Sequence, residues 1–253
     1  MVNLIEVRNL VKTFGNGAVK TTVLKGISFD MAEGEFIAIM GQSGSGKSTL
    51  LYNISGMDQM TSGQVTIDQV DLAGKSDDEL AELRLTMMGF VFQNNYLLKN
   101  LNLFDNICLP GFKAKKHSVK EVEERAAQLM NRLGIDEVKY SPIHQVSGGQ
   151  LQRAAICRSL INEPRILFAD EPTGSLNSRN AGEVMSIFNQ LNREGMSILT
   201  VTHDPKIASV TDRIIYLKDG QIEAQLQLGK LGAGENTRQR EEMTMNWLID
   251  RGF

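Results

Sequence analysis

The sequence lacks long apolar runs and an excess of charge of either sign. Its 253 residues include 27 Lys or Arg and 30 Asp or Glu, a formal net charge of −3. This balance offers no basic field to a nucleic-acid partner, so none is expected. The longest apolar stretches, such as residues 36–40 and 166–169, are far shorter than the roughly 20 residues that a membrane-spanning helix needs. We therefore expect no direct lipid-spanning segment.

Cysteine is also scarce, and its placement is uninformative for metal or disulfide chemistry. Cys108 and Cys157 are far apart and belong to no CxxC or CxxH pattern. Both have apolar neighbours and are predicted to be buried small hydrophobic side chains in a reducing compartment. Residues 1–10 show no basic leader before an apolar core, so no signal peptide is predicted. These features predict a cytoplasmic protein that meets a membrane only through a partner.

Strand and helix patterns alternate along most of the chain. Apolar runs typical of buried strands occur at residues 35–40, 89–92, 165–169, 197–202 and 213–218. Helical patterns occur at residues 77–85, 119–133, 150–162 and 181–193, with a further helix starting at residue 47. Alternation of this kind predicts a parallel α/β core with a helical insertion in the middle of the chain.

The two ends of the chain differ from this core. Residues 4–10 and 23–31 have strand patterns, and the segment GNGAVKT between them predicts a hairpin turn and a small antiparallel sheet. After residue 225, three glycines predict a loose linker. Residues 237–249 could then form a helix with Met243, Trp247 and Leu248 on one face.

A phosphate-binding P-loop follows the strand at residues 35–40. Its glycines let successive backbone N–H groups surround phosphates, its lysine adds a positive charge, and the hydroxyl of Ser48 can bind Mg²⁺. The alternative, a glycine-rich turn with a chance lysine, explains neither the preceding strand nor the following helix. The candidate ATP-binding residues here are Gly41, Gln42, Ser43, Gly44, Ser45, Gly46, Lys47, Ser48 and Thr49.

Two carboxylates end the apolar run at residues 166–169. A buried parallel strand delivers Asp170 to the edge where such sheets bind ligands, so Asp170 can hold the same Mg²⁺ as Ser48. Glu171 is one position further on and can act as the base for an attacking water. Two solvated acids at a strand end are the alternative, which the P-loop makes the weaker reading.

A second anion site is predicted at the start of the helix near residue 150. Ser147 and the amides of Gly148 and Gly149 stand at a helix N-terminus and can receive a γ-phosphate, with Gln150 next to them. The string VSGGQLQR resembles the signature motif of ABC ATPases. A glycine cap before a helix would explain two glycines but not the whole string.

The resemblance to ABC ATPases covers about residues 4–225 and implies further roles. Gln93 matches the glutamine that touches Mg²⁺ or the attacking water, and His203 matches the switch histidine that contacts the γ-phosphate. Phe14 matches the aromatic residue that stacks on adenine, although a place in the core of the N-terminal sheet stays open for it. One departure stands out: Asn177 replaces the usual aspartate of a loop that connects the two sites of a dimer.

The resemblance also implies a fold and a domain division. The expected fold class is α/β: a P-loop NTPase core of the ABC ATPase type with a mostly parallel sheet, an N-terminal antiparallel β subdomain and an inserted α-helical subdomain. The expected domains are an ATPase domain at residues 1–225, with the helical signature subdomain at about 94–163, and a tail at residues 226–253.

Within the superfamily, the strings GFVFQNNYLL, DNICLP and DEPTG resemble the MacB/LolD/FtsE group and its Gram-positive, Bce-type relatives that handle antimicrobial peptides. This implies a homodimer with ATP sandwiched between subunits. The dimer would drive an FtsX/MacB-like permease, peripheral on the inner face of the plasma membrane, in antimicrobial peptide or drug export. An FtsE-like regulatory ATPase and a LolD-like lipoprotein-release motor are the alternatives. Residues 96–98 and 101–104 are predicted as permease docking sites, with subdomain core as the alternative.

Overall fold

The computed structural model describes residues 3–15, 20–232 and 237–253. The chain divides into two compact units. Residues 1–76 and 191–253 form the first, here termed the P-loop unit, and residues 77–190 form the second, here termed the signature unit. The domain boundaries predicted near residues 94, 163 and 225 stay predictions.

Strands and helices are numbered in chain order. The strands are β1 (Asn3–Phe14), β2 (Thr21–Ala32), β3 (Phe36–Met40), β4 (Ser62–Ile67), β5 (Val70–Asp71), β6 (Met88–Phe92), β7 (Ile166–Asp170), β8 (Ser197–Val201), β9 (Arg213–Lys218) and β10 (Gln221–Gln227). The α-helices are α1 (Lys47–Ile54), α2 (Asp77–Met87), α3 (Leu103–Ala114), α4 (Val119–Arg132), α5 (Gly148–Leu160), α6 (Ser178–Arg193), α7 (Pro205–Ser209) and α8 (Thr237–Ile249).

The P-loop unit contains an antiparallel sheet in the order β2-β1-β4-β5. The pairing of β1 with β2 confirms the predicted N-terminal sheet, and Val7 lies opposite Phe29 within it. Residues 16–19, at the predicted hairpin turn, lie outside the described part of the chain. Strands β4 and β5 are additions that the sequence patterns did not predict, since three of the six residues of β4 are exposed and its pairing with β1 is distant in sequence.

A mostly parallel arrangement of β10-β9-β3-β8 forms the core of the same unit. Strand β3 pairs in parallel with both β8 and β9, while β10 pairs antiparallel with β9. All five residues of β3 and of β8 are buried, which explains their continuous apolar sequences. The carboxyl ends of β3 and β8 therefore meet at one edge, where the P-loop begins.

The signature unit pairs β6 with β7 in parallel and surrounds them with helices. The polar helical region predicted after residue 92 contains two helices, α3 and α4, and α3 includes Pro110. Leu103 is fully buried and Phe104 is 7% exposed, so the prediction that residues 101–104 form an exposed docking site was wrong for these two. Both side chains belong to the helical core because they begin the buried face of α3.

Both cysteines are fully buried and free, as predicted. Burial raises the pKa of the Cys108 thiol to about 12 and also raises the pKa of Cys157, because a thiolate loses its hydration there. In the described ranges, no helix combines the length and the apolar character that crossing a membrane requires.

Residues 237–253 belong to the P-loop unit. Helix α8 confirms the predicted helix, but the predicted face is partly wrong. Arg240, Thr244 and Leu248 are its buried residues at a spacing of four, whereas Met243 is 47% exposed. Trp247 is only partly buried against the core. The helix therefore packs along one line of residues, in which a buried arginine takes the place expected for a methionine.

Candidate nucleotide-binding site

The P-loop joins β3 to α1 and is shaped by glycines with positive φ. Gly41, Gly44 and Gly46 have φ of 151°, 81° and 101°. A Cβ on Gly41 would lie 2.1 Å from the carbonyl oxygen of Leu217, so only glycine fits where the loop leaves the sheet. Gly46 is the N-cap residue of α1, and no side chain caps that helix in the described structure. The first-turn amides of α1 are therefore not engaged by a side-chain cap.

The lysine of the loop lies against its own backbone. Lys47 Nζ donates to the carbonyl oxygens of Gly41 and Gln42, both at 2.9 Å. Ser48 and Thr49 are half-buried in the first turn of α1, while Gln42 and Ser43 are exposed. A positive charge, a loop of glycines and a helix N-terminus are thus close in sequence and structure, a combination that suits phosphate binding.

His203 follows β8 in the same unit. Strand β8 is the parallel neighbour of β3, with Val201 paired to Ile39, so His203 and the P-loop both follow carboxyl ends at one sheet edge. The turn is fixed, because Asp204 N donates to Thr202 Oγ1 at 3.0 Å and Asp204 Oδ1 caps α7. The side chain of His203 is exposed at this edge.

Phe14 ends β1 with its ring 45% exposed, which excludes the alternative that it is a core residue of the N-terminal sheet. The ammonium of Lys12 lies 4.6 Å from the ring centroid and is itself held by Asp58 at 2.6 Å. One face of Phe14 is thus occupied by a cation, and stacking of an adenine on it stays a prediction.

The carboxylates lie in the signature unit. Asp170 ends β7 and Glu171 follows it, and both are half-buried. Glu171 has a φ of 48°, which is rare for a residue with a side chain. Its carbonyl oxygen accepts a hydrogen bond from Gly174 N at 3.0 Å, so the chain turns sharply at this point. Backbone strain of this kind is typical of functional sites.

Gln93 lies beside this turn. It follows β6, whose residue Phe92 pairs with Asp170 in the parallel ladder. A Cβ on Gly174 would be 2.8 Å from Gln93 Nε2, and Ser175 Oγ donates to Gln93 O at 3.2 Å. The structure therefore brings together Gln93, Asp170 and Glu171, which were predicted from separate motifs.

A buried amide that the motifs did not single out connects the same elements. Gln152 is fully buried, and its Nε2 donates to the carbonyl oxygens of Pro172 at 2.6 Å and Phe92 at 3.2 Å. It thereby ties helix α5 to the ends of both β6 and β7. Its position two residues after Gln150 gave only a weak signal, because a helical glutamine is more often solvated.

The signature segment starts α5 with a complete capping box. Ser147 Oγ accepts from Gln150 N at 3.3 Å, and Gln150 Oε1 accepts from Ser147 N at 3.0 Å. Ser147 and Gly148 are exposed. Gly149 is buried against Asn180, whose side-chain carbon would lie 2.8 Å from a Cβ at that position. The predicted anion site is thus on the surface and already capped.

Asn177 has a structural role in this unit. Its Oδ1 accepts a hydrogen bond from Asn180 N at 3.0 Å, the geometry of an N-cap. Helix α6 accordingly begins at Ser178, earlier than the predicted start at residue 181. An aspartate could make the same bond, so the substitution removes a charge but keeps the cap.

Arg158 of helix α5 fixes the backbone of the segment after Gln93. Arg158 donates to the carbonyl oxygens of Asn95 at 2.6 Å and Tyr96 at 2.7 Å, and burial lowers its pKa. Tyr96 is 67% exposed and Leu98 is 45% exposed. The two apolar side chains thus stand on the surface of a segment with a fixed backbone.

The predicted site residues are divided between the two units. Phe14, the P-loop and His203 belong to the P-loop unit; Gln93, Asp170, Glu171 and residues 147–150 belong to the signature unit. No cluster of three or more His, Cys, Asp or Glu side chains suited to a metal occurs in the residues described. Ser48 offers a hydroxyl oxygen in the P-loop unit, and Gln93 and Asp170 offer amide and carboxylate oxygens in the signature unit. Each donor type suits Mg²⁺ bound with phosphate, and their shared metal site stays a prediction.

Comparison with known proteins identifies relatives of the chain. The family model described as ABC transporter matches residues 24–174. The bacitracin export ATP-binding protein BceA of Halalkalibacterium halodurans is 42% identical over 89% of both chains. The lipoprotein-releasing system ATP-binding protein LolD of Leptospira interrogans is 42% identical over 86% of this chain and 90% of its own.

The chain is also similar to part of a longer protein and to a solved structure. The macrolide export ATP-binding/permease protein MacB of Pasteurella multocida is 44% identical over 87% of this chain, which spans only 34% of MacB. The ATP-binding cassette MJ0796, solved as a dimer in a post-hydrolysis state with ADP and Pi, superimposes with a TM-score of 0.83 at 37% identity. The superposition covers 90% of this chain and all of the cassette.

Proposed function

This chain belongs to the ABC transporter family and is an ATPase subunit of the MacB/LolD/BceA type, and from that premise we propose that it drives a permease of the FtsX/MacB kind in the export of antimicrobial peptides or drugs. The observation that carries the proposal is the relation to BceA, named for bacitracin export, along nine-tenths of both chains. The relation to MacB, whose name joins ATP binding and permease, supports a membrane partner. The chain would then act at the inner face of the plasma membrane.

The proposed motor is a head-to-tail dimer with two ATP molecules between the subunits. The P-loop of one subunit binds the triphosphate with Lys47 and the loop amides, and the exposed Ser147 and Gly148 of the other meet the γ-phosphate. The dimeric state of MJ0796 supports this arrangement. Because the γ-phosphate is what joins the two subunits, ADP holds the dimer poorly, and hydrolysis lets it open.

The residues proposed for hydrolysis are Glu171 as the base for water, with Gln93 and His203 positioning the water and the γ-phosphate. The neighbouring placement of Gln93 and Glu171 supports their joint role. Asp170, Ser48 and Gln93 would hold Mg²⁺, which when bound neutralises charge on the phosphates.

The permease is proposed to dock at Tyr96 and Leu98. These side chains are exposed on a backbone that Arg158 fixes, and the segment begins directly after Gln93. Movement of Gln93 with the nucleotide would therefore reach the docking surface through a short, rigid connection. This links the hydrolytic site to the membrane partner.

A co-purification experiment tests the partner and its docking site. The tagged chain is recovered from gently solubilised membranes, and its ATPase rate is measured with and without the co-purified protein. Recovery of a permease with altered turnover is expected for the unaltered chain and for Val119→Ala, which removes a side chain that is 62% exposed elsewhere. The double variant Tyr96→Ala, Leu98→Ala should fail to recover the permease. Recovery of no membrane protein by an active ATPase would overturn the transport proposal.

Lipoprotein release is the second candidate, favoured by the relation to LolD. Susceptibility of the host separates the two. With the gene deleted, bacitracin or macrolide sensitivity should rise and be restored by the unaltered chain but not by Glu171→Gln. Unchanged susceptibility together with retained lipoproteins in the membrane would favour release over export.

A further inference from the structure

Residues 237–253, here called the tail segment, are fixed to the P-loop unit by a buried charge. Arg240 is 4% exposed and donates to the carbonyl oxygens of Ser209 at 2.9 Å, Thr211 at 2.7 Å and Gly229 at 3.0 Å. A buried guanidinium is stable only when its donors are satisfied, so this side chain specifies one seat for α8. The tail segment therefore packs on the P-loop unit in one defined position.

Two turns further on, α8 packs on the core cluster that includes the end of the strand leading into the P-loop. Leu248 is fully buried in one cluster with Met40, the residue before Gly41. The ring of Trp247 meets the ring of Tyr216 edge-on, with centroids 6.2 Å apart and planes at 87°. Tyr216 is the partner of Met40 in the parallel ladder. Leu248 thus belongs to the cluster that contains Met40, and Trp247 packs on Tyr216, the neighbour of Met40 in the sheet.

The turn after α8 contacts the P-loop itself. Gly252 N donates to Ile249 O at 2.9 Å, and Arg251 Nη1 donates to Trp247 O at 2.6 Å, so the turn is closed on the helix. The Arg251 guanidinium also lies 4.1 Å from the Trp247 ring. The carbonyl oxygen of Gly252 then accepts a hydrogen bond from Gln42 Nε2 at 2.8 Å. The tail segment consequently contacts Gln42, after Gly41, and shares a core cluster with Met40, before it.

Gln42 is where this contact meets the nucleotide site. Its carbonyl oxygen accepts from Lys47 Nζ, and its side chain is held by the tail segment. The loop cannot yield at Gly41, because that backbone lies against Leu217 on β9, next to Tyr216. A change in Lys47 or in the loop on phosphate binding therefore acts on the residue that the tail segment holds.

We propose that the tail segment is a positioning element for the P-loop. Through the Gln42–Gly252 bond and the Trp247–Tyr216 contact, it holds residues 40–42 in the arrangement that binds phosphate. The inference rests on the proposed nucleotide site at the P-loop. Because coupling between two sites is reciprocal, bound nucleotide must in turn affect the tail segment.

Calorimetric titration with ADP tests the bond, because ADP binding requires neither a permease nor a dimer. A chain shortened to residue 250 and the variant Gln42→Ala should each bind ADP about two- to tenfold more weakly, the range for one lost hydrogen bond. The doubly altered chain should bind no more weakly than the shortened chain, since the truncation already removes the bond that Gln42→Ala breaks. Ile249→Ala, which trims an exposed side chain of the same helix, should bind like the unaltered chain.

The outcomes separate this inference from the proposed function. Equal ADP affinity in the shortened and unaltered chains, or strictly additive losses in the double variant, would overturn the positioning role alone. An unaltered chain that bound no ADP would overturn both proposals. The melting temperature of each variant is measured alongside, because a positioning role requires weaker binding by chains that remain folded at the assay temperature.

Fluorescence of the full chain gives a second test that needs no truncation. Trp247 is the single tryptophan of the sequence, so emission excited at a wavelength selective for indole reports only on the tail segment. ADP should change this emission with the midpoint found by calorimetry, and Lys47→Ala should show no change at the same ADP concentrations. Constant emission at saturating ADP would contradict the coupling.

Discussion

The P-loop and the signature segment (residues 147–150) both place glycines at the start of a helix, but the two helix starts are capped differently. Helix α1 starts at a glycine and has no side-chain cap, whereas α5 starts at Ser147 with a capping box closed by Gln150. The P-loop backbone is wedged against Leu217, while Gly148 has only a distant neighbour, Leu176 at 3.7 Å. One helix start is thus wedged and has no side-chain cap, and the other is exposed and capped by its own side chains.

The difference fits the two roles proposed for these sites. A wedged loop shaped by glycines keeps its geometry before an anion arrives, which suits a site that holds nucleotide in each subunit. At α5, a phosphate must add to or displace bonds that Ser147 already makes. Such a contact is weaker and more easily reversed, as a dimer that opens after hydrolysis requires.

The largest effect on this comparison is expected from Gly41→Ala. The new Cβ would meet Leu217 O at 2.1 Å and the backbone has a φ of 151°, so the loop must shift. The strained backbone alone costs about 1–3 kcal/mol. ADP affinity, measured by calorimetry, should fall by about tenfold or more.

Gly74→Ala is the matched control for that change. Gly74 has a φ of 73° with no atom within 4 Å of the added Cβ, and it lies outside the P-loop. It should lower the free energy of unfolding through backbone strain while leaving ADP affinity unchanged. Equal loss of affinity in both variants would show that the wedged geometry of the P-loop has no special importance.

Ser147→Ala should have an intermediate effect that is confined to the dimer. Loss of the cap should lower the free energy of unfolding by about 1 kcal/mol, with ADP affinity of the single chain unchanged. ATP-dependent dimerisation, followed by light scattering in a hydrolysis-deficient background, should weaken because the γ-phosphate loses its hydroxyl contact.

Ser118→Ala provides the control, since Ser118 and Glu121 form the same capping box at the start of α4. It should lose a similar amount of stability by chemical denaturation but dimerise normally. If both variants dimerised equally well, Ser147 would be a helix cap and nothing more.

The smallest effect is expected from Asn177→Asp. The cap to Asn180 N is kept, and a negative charge at the start of α6 should stabilise the fold by about 0.3–1 kcal/mol. ADP affinity should not change, whereas Asn177→Ala should cost about 1 kcal/mol of unfolding free energy. A large change in nucleotide affinity with Asn177→Asp would mean that this loop does more than connect the two sites.

Sequence patterns predicted those parts of the fold in which local signals agree. The apolar runs of β3, β7 and β8 and the P-loop between β3 and α1 were all assigned correctly, because buried parallel strands need continuous apolar sequence. Strand β10 was not, since its residues alternate between exposed and half-buried and it depends on pairing with β9. A half-exposed strand is stabilised more by pairing with its neighbour than by burial, so its own apolar pattern is a weak signal.

Side-chain burial was predictable only in part at the site. The motifs predicted a set of site residues, and their roles stay predictions. Gln152 and Arg158, which hold the segments around Gln93 and Pro172 from within α5, have no motif of their own. Leu103 was predicted to be exposed and is buried, whereas Met243 was predicted to be on the packed face and is exposed. Both errors arise because the face of a short helix depends on the residue at which the helix starts. Contacts such as Gln42–Gly252 join residues that are 210 positions apart, and no local pattern encodes them.

The central claim is that ATP joins two copies of this chain until Glu171 promotes hydrolysis. The most direct measurement is the mass of Glu171→Gln by light scattering with ATP, with ADP and without nucleotide. We expect Glu171→Gln to form a stable dimer with ATP but not with ADP or without nucleotide. Its ATPase rate should be about 100-fold or more below that of the unaltered chain. A Glu171→Gln chain that binds ATP but stays monomeric would contradict the claim that each site is completed by a second subunit.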